Sequence, residues 1–430
     1  MKTNRSNFVI EDSITFKIKM LNWSRRFNIF CFLDNNSYGF EPPNFECILA
    51  AGCNESVSLE RKDGLKKLQD FSDKNKGWVF GHFGYDLLNE TIPDPSSYTN
   101  EVDFGDGFFF RPSILIRLKQ SEVIIESTIA DPPEILKEIN SEEAFIHQPV
   151  PADINFASGV TEQEYKNILG SLKKHILRGD CYEINFCQSF FAKDVSVDPL
   201  FFYHKLSAIS PNPFGAFYKL NDKYCLCASP ERFLKKTNTT LISQPIKGTS
   251  KRDFTDEVLD TANKNYLLSS DKEKSENVMV VDLVRNDMSK VCLEGSVHVK
   301  ELFGIYSFPQ VHQMISTIEG EVDLTTKWTD IIKACFPMGS MTGAPKKRVI
   351  ELIDRYEQYP RGLFSGSIGY INPDGDFDFN VVIRSLMYDE TKKLITFKAG
   401  GGITFNSDAD EEYEECLLKA NAIIRILKNV

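Results

Sequence analysis

The chain lacks the features that mark secreted, membrane-spanning and zinc-finger proteins. Its first residues, MKTNRSNFVIEDS, are polar and charged, so no secretory signal is read there. No apolar run approaches the roughly 18 residues that a membrane helix needs. The 10 cysteines form no C-x-x-C pair and the 6 histidines form no H-E-x-x-H motif, which argues against a zinc site. We therefore expect a cytoplasmic protein with reduced thiols and no membrane contact.

The chain also lacks an excess of positive charge. Lysine and arginine number 50 against 61 aspartates and glutamates, which gives a net charge of -11. This balance argues against a nucleic-acid partner, because binding a phosphate backbone needs a basic surface. The chain is long and contains many apolar residues: it has 430 residues, 33 phenylalanines and a hydrophobic fraction of 42%. It can bury a large core as one large domain or as two to three smaller ones.

The patterning predicts an α+β fold with antiparallel sheets. Residues 1–150 are read as a mostly-β region, and a polar, proline-containing stretch at 131–156 connects it to residues 151–430. We expect the two regions to pack closely as one unit. Thr161 with Glu164 predicts a capped helix, and further helices are expected at 255–287, 345–357 and 410–427. The sequence NPDG at 372–375 predicts a turn between strands near 364–371 and 376–386. Hairpin-linked strands interspersed with helices favour antiparallel sheets over a doubly wound parallel sheet.

Three charged residues lie in apolar or turn positions, where a charged side chain requires a partner or a function. Lys247 ends the apolar run of PIKGT. A partly desolvated lysine on a rigid strand has a lowered pKa and becomes a usable nucleophile, although a surface lysine at a strand end is the simpler interpretation. Glu231 in the turn SPERF is either a general base or a partner of the adjacent Arg232. Arg384 in NVVIRSL requires an anionic partner, from the protein or from a substrate.

Two pairs of glutamates follow helical spacing. Glu273 and Glu276 lie three residues apart in one predicted helix, and Glu412 and Glu415 repeat this spacing in the C-terminal helix. Each pair therefore projects from one helix face. If the helices converge, the four carboxylates suit a Mg²⁺ ion that keeps several waters and bridges to an anionic substrate. The alternative is a solvated face on which Glu415 forms an i,i+4 ion pair with Lys419.

Two glycine-containing segments are candidates for receiving an anion. GSMTGAP at 339–345 leads into a predicted helix with proline at its first turn, where free backbone N–H groups attract carboxylate or phosphate. It is not a Walker A loop, since Lys346 lacks the G-K-[ST] context. The segment AGGG at 399–402 has three successive residues without side chains beside a strand. This segment either permits close approach of a ligand or marks a bulge.

Nine segments, in order, resemble the chorismate-utilising enzyme family, which includes anthranilate synthases, aminodeoxychorismate synthases, and isochorismate and salicylate synthases. They are GDCYEINFCQ (179–188), ASPERF (228–233), PIKGT (245–249), ENVMVVDLVRND (276–287), HQMIS (312–316), FPMGSMTGAPK (336–346), RGLFSGSIGY (361–370), NVVIR (380–384) and GGGITFNSDADEEYEE (400–415). The resemblance covers about residues 160–425. It implies large antiparallel sheets packed as a sandwich with helices on the outside.

Single residues within these segments indicate one branch of the family. PIKGT resembles component I of aminodeoxychorismate synthase, because anthranilate synthases resemble PIAGT, with alanine at the position of Lys247. Asn277 resembles the same branch, and isochorismate-forming relatives have lysine where this chain has Glu183. The implied reaction joins chorismate and ammonia to give 4-amino-4-deoxychorismate, on the route to p-aminobenzoate and folate. No amidotransferase unit is recognisable in the chain, so a glutamine amidotransferase subunit (component II) is the expected source of ammonia.

The resemblance also assigns catalytic roles. Lys247 would attack ring carbon 2 of chorismate and form a covalent adduct while the hydroxyl on carbon 4 departs. Glu231 would act as the acid and base at that hydroxyl and at the incoming amine. His312 would be a polar or acid partner at the reacting face. Taken alone, a histidine in such an apolar stretch is more often a satisfied core residue.

Metal and substrate ligands follow from the same resemblance. A Mg²⁺ ion would lie on Glu276 and Glu415, with Glu273 and Glu412 reaching it through water, and would take the ring carboxylate. Arg384 and Tyr370 would hold the enolpyruvyl carboxylate. The residues expected to complete the ring-carboxylate end are Gly248, Thr249, Thr342, Gly401 and Lys419.

Two alternatives remain open at this point. One is an anthranilate synthase component I, which Lys247 disfavours but which differs at few residues. The other is a catalytically silent relative that keeps the fold and binds a metabolite. The complete set of lysine, glutamate and arginine residues argues against a silent relative, and a turnover assay separates the two.

Overall fold

The computed structural model describes residues 3–38, 45–88, 101–147 and 154–428. Within these ranges the helices are α1 (Ser13–Ser24), α2 (Gly64–Lys74), α3 (Pro132–Ser141), α4 (Glu162–Leu177), α5 (Pro199–Ile209), α6 (Glu257–Ser269), α7 (Asp271–Ser289), α8 (Trp328–Cys335), α9 (Lys346–Tyr356) and α10 (Ala409–Lys428). Two short 3-10 turns cover Tyr85–Leu88 and Gly339–Met341.

The strands of the same ranges span 2 to 11 residues, and the longest of them lie after residue 156. They are β1 (Asn4–Val9), β2 (Ile29–Asp34), β3 (Cys47–Ala51), β4 (Glu55–Leu59), β5 (Val79–Phe83), β6 (Gly107–Arg111), β7 (Ile114–Lys119), β8 (Glu122–Ser127), β9 (Ala157–Ser158), β10 (Glu183–Ala192), β11 (Phe214–Leu220), β12 (Lys223–Ser229), β13 (Arg232–Thr237), β14 (Thr240–Gln244), β15 (Ile246–Lys251), β16 (His298–Ser307), β17 (Val311–Glu321), β18 (Gly343–Ala344), β19 (Ser367–Ile371), β20 (Phe377–Asn380), β21 (Ser385–Asp389) and β22 (Leu394–Ile403).

The strands form two antiparallel sheets. Sheet A has the order β1-β8-β7-β3-β2-β11-β12-β21-β22-β10-β18, with β9 beside β10. Sheet B has the order β15-β17-β14-β13-β20-β19-β5-β6-β4, with β16 beside β17. Strands from the first 130 residues and strands from after residue 156 pair directly, β2 with β11 in sheet A and β5 with β19 in sheet B. The boundary predicted at residue 150 lies outside the described residues.

Alternation along the strands creates two cores. In β2, Phe30 and Phe32 belong to a core that includes residues of α1, α4, α5 and α10, whereas Cys31 between them belongs to a core shared with sheet B. The second core includes Phe80 and Phe379 of sheet B, so the two sheets pack face to face. Helices α7 and α8 pack on the same core from the side of sheet B. The predicted α+β class, with packed antiparallel sheets and outer helices, is confirmed.

Local predictions were confirmed where capping or turn chemistry was explicit. Thr161 caps α4 in a capping box with Glu164. The turn at 372–375 joins β19 to β20, with the Gly375 N–H donating to the carbonyl of Asn372 and Gly375 at a φ of 79°. All 10 cysteines are free thiols, as expected for reduced cysteines.

One local prediction was wrong. The single helix predicted over 255–287 is two helices, because Ser270 adopts an extended conformation and caps α7 through its side chain. The region read as mostly β contains the strands β1–β8 and also the helices α1, α2 and α3. Asp12 begins α1 by accepting hydrogen bonds from two backbone N–H groups, which satisfies donors that have no partner within the helix.

Candidate active site

The candidate site lies where the edge of sheet B meets the edge of sheet A. Edge strand β15 carries Lys247, and β10 carries Glu183. The ammonium of Lys247 donates a hydrogen bond to Oε1 of Glu183, and the two side chains are 11% and 3% exposed. Helix α7 packs against β15, and α10 packs against β22. Lys247 therefore points into the protein, not toward bulk solvent.

Burial and charge act in opposite directions on Lys247. Burial alone would lower the pKa of its ammonium, but the carboxylates of Glu183, Glu276 and Glu231 outweigh burial and raise the pKa above its ordinary value. The lowered pKa expected from the sequence is therefore wrong for the protein without its ligands. A lysine in this environment carries a proton that it must lose before it can act as a nucleophile.

Glu231 is a buried carboxylate close to neutrality. Its side chain is 4% exposed, and burial raises its pKa from 4.5 to about 7, although Ser340 and Lys247 favour the ionised form. It is not paired with Arg232, because the Arg232 guanidinium donates to both carboxylate oxygens of Asp378, at 3.0 and 3.1 Å. A carboxyl group with a pKa near 7 can both give and take a proton at physiological pH.

Arg384 faces Glu231 without being held by it. The expected continuous strand over 376–386 is interrupted between β20 and β21, and Arg384 occupies this break at a φ of 50°. Burial lowers the pKa of its guanidinium to about 10, while Glu231 opposes that shift. The Arg384 guanidinium makes no hydrogen bond or ion pair with the described residues, whereas the backbone carbonyl of Arg384 accepts a hydrogen bond from the Ala228 N–H. A partly buried guanidinium without a partner among the described residues is suited to binding an anionic ligand.

The four predicted acidic ligands lie on α7 and α10 and influence one another. Burial raises the pKa of Glu276 to about 7, and it also raises those of Glu273 and Glu412. Glu415 adds to the shift at Glu273, so the two helices bring their carboxylates close together. Burial alone would raise the pKa of Glu415, but Lys419, Lys272 and Lys247 together outweigh burial and lower it.

These carboxylates fit some metal ions better than others. Among the described residues, no three His, Cys, Asp or Glu side chains are close enough to enclose an ion. Mg²⁺ does not need such a cage, since it takes one or two carboxylates and completes its shell with water and substrate oxygens. The oxygen donors of α7 and α10 are therefore compatible with Mg²⁺ and argue against a protein-only cage of the kind that Ca²⁺ or Zn²⁺ uses.

Glycines let the side chains of the site approach the backbone. A Cβ at Gly402 would lie 2.5 Å from Oε1 of Glu183 and 2.8 Å from Nζ of Lys247. A Cβ at Gly401 would lie 3.2 Å from Oε2 of Glu412, and Gly248 would meet Glu273 at 3.0 Å. The β22–β10 ladder has no register shift, so this glycine run is not a bulge.

The predicted anion-binding segment at 339–345 contains regular structure of its own before the helix begins. Its residues form the 3-10 turn and β18, which pairs with β10, before α9 begins at Lys346. The hydroxyl of Thr342 is buried and donates to the backbone of the preceding turn, 3.1 Å from the carbonyl of Met338. Lys346 holds the loop through Asp287 and the Pro337 carbonyl. Thr342 thus lies beside Asn185 of β10, two residues from Glu183.

Lys419 and Thr249 flank the acidic helices. Lys419 forms the plain i,i+4 ion pair with Glu415 at 2.7 Å that was the alternative interpretation. It also donates to the Gly400 carbonyl at 2.9 Å, which ties α10 to β22. Thr249 is exposed on β15 and pairs with Gln313 of β17. Both residues border the group around Lys247.

The structure does not bring His312 into this group. His312 is buried beneath α6, where Nε2 lies 3.1 Å from Asp260 and Nδ1 lies 2.8 Å from the Ser307 hydroxyl. Both ring nitrogens are occupied, as in a satisfied core histidine. Gln313, one residue further along β17, is the residue directly across from Thr249.

Tyr370 is also placed elsewhere. Its ring packs against Trp78 and Phe45 at centroid distances of 5.4 Å. It lines a cavity between the sheets together with Asp34 and Arg232. Burial raises the pKa of its hydroxyl, and the charges that act on it are Asp378, Arg232 and Asp376, with no contribution from Arg384.

Glu183 is the site residue that sequence reasoning missed. The sequence used it only to separate this chain from isochorismate-forming relatives. A carboxylate at the start of the apolar strand EINFC carries the same signal that singled out Arg384, since a charge among buried neighbours needs a partner. Gly402 was likewise read only as part of a glycine run.

No helix in the described part of the chain is both long and apolar enough to cross a membrane.

Comparison with known proteins identifies the family of this chain. The model of chorismate binding enzymes matches residues 35–425. Aminodeoxychorismate synthase component 1 of Salmonella typhimurium is 35% identical over 357 residues, which cover 82% of this chain and 77% of that protein. The chloroplastic aminodeoxychorismate synthase of Arabidopsis thaliana is 42% identical over 390 residues, covering 85% of this chain but 42% of that protein.

Among solved structures, anthranilate synthase component I from Streptococcus pneumoniae superimposes with a TM-score of 0.77 at 25% identity, covering 89% of this chain and 92% of that one. The family match over residues 35–425 and the superposition over most of both chains agree with each other. This protein belongs to the family of chorismate binding enzymes.

Proposed function

We propose that this protein converts chorismate and ammonia to 4-amino-4-deoxychorismate. The observation that carries the proposal is the buried Lys247, held by Glu183 and flanked by Glu231 and Glu276. The names of the relatives in Salmonella typhimurium and Arabidopsis thaliana support the same reaction. An amine in this position can form a bond to a substrate ring that is bound between β15 and α7.

Chorismate carries two carboxylates, which the site must neutralise. Arg384 is the group best suited to the enolpyruvyl carboxylate, because its guanidinium is partly buried and has no partner among the described residues. We further propose that Glu276 and Glu415 hold a Mg²⁺ ion at the ring carboxylate, with Glu273 and Glu412 reaching it through water. When bound there, the ion would offset the repulsion between carboxylates and withdraw electron density from the ring.

The amination then divides into two substitutions. The Lys247 nitrogen bonds to ring carbon 2 while the bond from carbon 4 to its hydroxyl breaks, and Glu231 gives its proton to the departing oxygen, which leaves as water. Ammonia next bonds to carbon 4 while the bond between Lys247 and carbon 2 breaks. Glu231 takes back a proton from the new amine. A pKa of about 7 lets Glu231 serve in both directions.

We propose that ammonia reaches this site from a separate glutamine amidotransferase subunit. The relative from Salmonella typhimurium is named as component 1, which implies a second component. The purified chain should therefore use ammonium salts and should make no product from glutamine alone. Added glutamine that supports the reaction at the rate of ammonium would contradict the need for a partner.

Product identification tests the proposed function directly. The full chain is incubated with chorismate, Mg²⁺ and ammonium, and the product is identified by liquid chromatography and mass spectrometry. We expect aminodeoxychorismate, which keeps the enolpyruvyl group. Lys247→Ala is the control and should form neither this product nor a covalent chorismate adduct. Absence of turnover by the wild-type protein would point instead to a silent metabolite-binding relative.

A second candidate function is anthranilate synthesis. The structural similarity to the Streptococcus pneumoniae anthranilate synthase component I favours it, because that match covers most of both chains. Lys247 argues against it, since a covalent route through carbon 2 directs ammonia to carbon 4. Anthranilate has lost the enolpyruvyl group as pyruvate, so the same assay separates the two products.

A further inference from the structure

Only one of the two carboxylate oxygens of Glu183 makes a hydrogen bond with the described residues. Its Oε1 accepts the hydrogen bond from Lys247, whereas Oε2 is buried and has no hydrogen-bond partner among the described residues. An unsatisfied buried carboxylate oxygen is costly, so a purely structural pair would be expected to satisfy both oxygens. The strand backbone fixes Glu183 firmly, because β10 is paired with β18 on one side and β22 on the other.

Lys247 needs a proton acceptor, and three carboxylates surround its ammonium. Glu231 must carry its own proton into the first substitution, since it protonates the departing hydroxyl. Glu276 is the proposed ligand of Mg²⁺, which requires it to stay ionised. Glu183 is the remaining carboxylate, and its oxygen is the one in direct contact with Nζ of Lys247.

We propose that Glu183 is a catalytic residue that takes the proton from Lys247 before attack and returns it when the lysine is expelled. This inference rests on the proposed amination. In the first step the proton moves from the Lys247 ammonium to the Glu183 carboxylate, which leaves a neutral amine and a carboxylic acid. The amine lone pair then forms the bond to ring carbon 2.

The second substitution restores the starting state. When ammonia bonds to carbon 4, Lys247 leaves carbon 2 as a neutral amine and takes the proton back from Glu183. The proton on the newly attached nitrogen goes to Glu231. The sum of the two steps is chorismate plus ammonia giving aminodeoxychorismate plus water, with both glutamates and the lysine unchanged.

Gly402 allows the proton donor and acceptor to lie close together. With no side chain at this position, Glu183 and Lys247 both lie against the backbone of β22. The unpaired Oε2 of Glu183 gives the carboxyl group a second oxygen that can hold the proton without breaking contact with Lys247. Glutamine at position 183 would keep the shape and the hydrogen-bond acceptor but could not take the proton.

The test compares Glu183→Gln with a matched control on the same sheet. Glu126 also forms a partly buried ion pair, with Arg117, but lies on β8, the second strand from the opposite edge of sheet A. Wild type, Glu183→Gln, Glu183→Asp and Glu126→Gln are mixed with chorismate and Mg²⁺ without ammonia, and adduct formation is followed by intact mass. Aminodeoxychorismate formation with ammonium is measured in parallel.

We expect Glu183→Gln to slow both adduct and product formation roughly 100-fold or more, the usual contribution of a general base. Glu126→Gln should match wild type, and Glu183→Asp, which keeps a carboxylate, should exceed the glutamine variant at least about tenfold. Adduct formation at the wild-type rate in Glu183→Gln would overturn the proposal. An aspartate variant no faster than the glutamine variant would do so as well.

A double variant separates a role through Lys247 from a general structural role. In the Lys247→Ala background, any residual chorismate consumption should be unaffected by adding Glu183→Gln, because there is no lysine proton to take. A further loss of the same factor would show that Glu183 acts independently of Lys247 and would refute the inference. Wild-type protein that forms neither adduct nor product rejects the proposed function itself, which is a different result.

Discussion

Three glycine-to-alanine substitutions test whether the site depends on contact with β22. At Gly402 a Cβ would lie 2.5 Å from Glu183 and 2.8 Å from Lys247, so both side-chain ends must move by several tenths of an ångström. A displacement of this kind at the reacting amine costs on the order of 100-fold in rate, or about 2.7 kcal/mol. The clashing atoms are ends of flexible side chains, so the free energy of unfolding should stay within about 1 kcal/mol of wild type.

Two other glycines provide the contrast. A Cβ at Gly400, on the same strand, would lie 1.9 Å from the backbone oxygen of Phe186, which cannot move without separating β22 from β10. Gly400→Ala should therefore destabilise the fold by roughly 1–3 kcal/mol or more. Gly170 of α4 has open space around its Cβ position, so Gly170→Ala should stabilise by about 0.5–1 kcal/mol and leave the rate unchanged.

The assay for this series is the rate of aminodeoxychorismate formation together with denaturant unfolding. The informative result is a dissociation between the two measurements, with Gly402→Ala losing rate and keeping stability while Gly400→Ala loses stability. A wild-type rate in Gly402→Ala would refute the argument that the Glu183–Lys247 pair must lie against β22. Equal stability losses at both positions would show that the backbone, not the side-chain pair, sets the requirement for glycine.

Three further predictions address the charged groups. Burial raises the pKa of Glu231 from 4.5 to about 7, so its acid form is lost as pH rises through 7, and its burial costs up to about 3 kcal/mol of stability at pH 8. Glu231→Gln should lower the rate about 100-fold yet raise the unfolding free energy at pH 8; an unchanged rate would remove its acid–base role. Arg384→Gln should lower kcat/KM for chorismate about 10- to 100-fold, mainly through KM, and equal kinetics would exclude a substrate contact. Glu276→Gln should weaken Mg²⁺ binding measured by calorimetry, and wild-type affinity would remove it as a ligand.

The fold could be predicted to the level of class because its signals are local. The capping box at Thr161, the turn at 372–375 and the alternating strands are each decided within a few residues. Strand pairing is not local, since β2 pairs with β11 almost 200 residues later. The sequence therefore indicated antiparallel sheets but could not indicate that both sheets combine strands from the two sequence regions.

The candidate site was predictable where a charge stood among apolar residues. Lys247 and Arg384 were found this way, and the same signal at Glu183 was available but not used. The sign of the pKa shift at Lys247 could not be predicted, because it depends on carboxylates from β10, α7 and the Glu231 turn that converge only in the folded chain. Desolvation alone gives a lowered pKa, and three neighbouring carboxylates reverse it.

His312 and Tyr370 show why a sequence motif does not fix which face a side chain occupies. Successive residues of a strand point to opposite sides, so an assignment that is wrong by one position moves a side chain to the other side of the sheet. On β17, His312 faces Asp260 of α6, while Gln313 lies across from Thr249. Gln313 is buried, and its Oε1 has no hydrogen-bond partner among the described residues. The polar group that β17 offers on the Thr249 side is therefore an uncharged amide, which cannot exchange a proton at physiological pH, so the proposed mechanism assigns the proton transfers to the glutamates around Lys247.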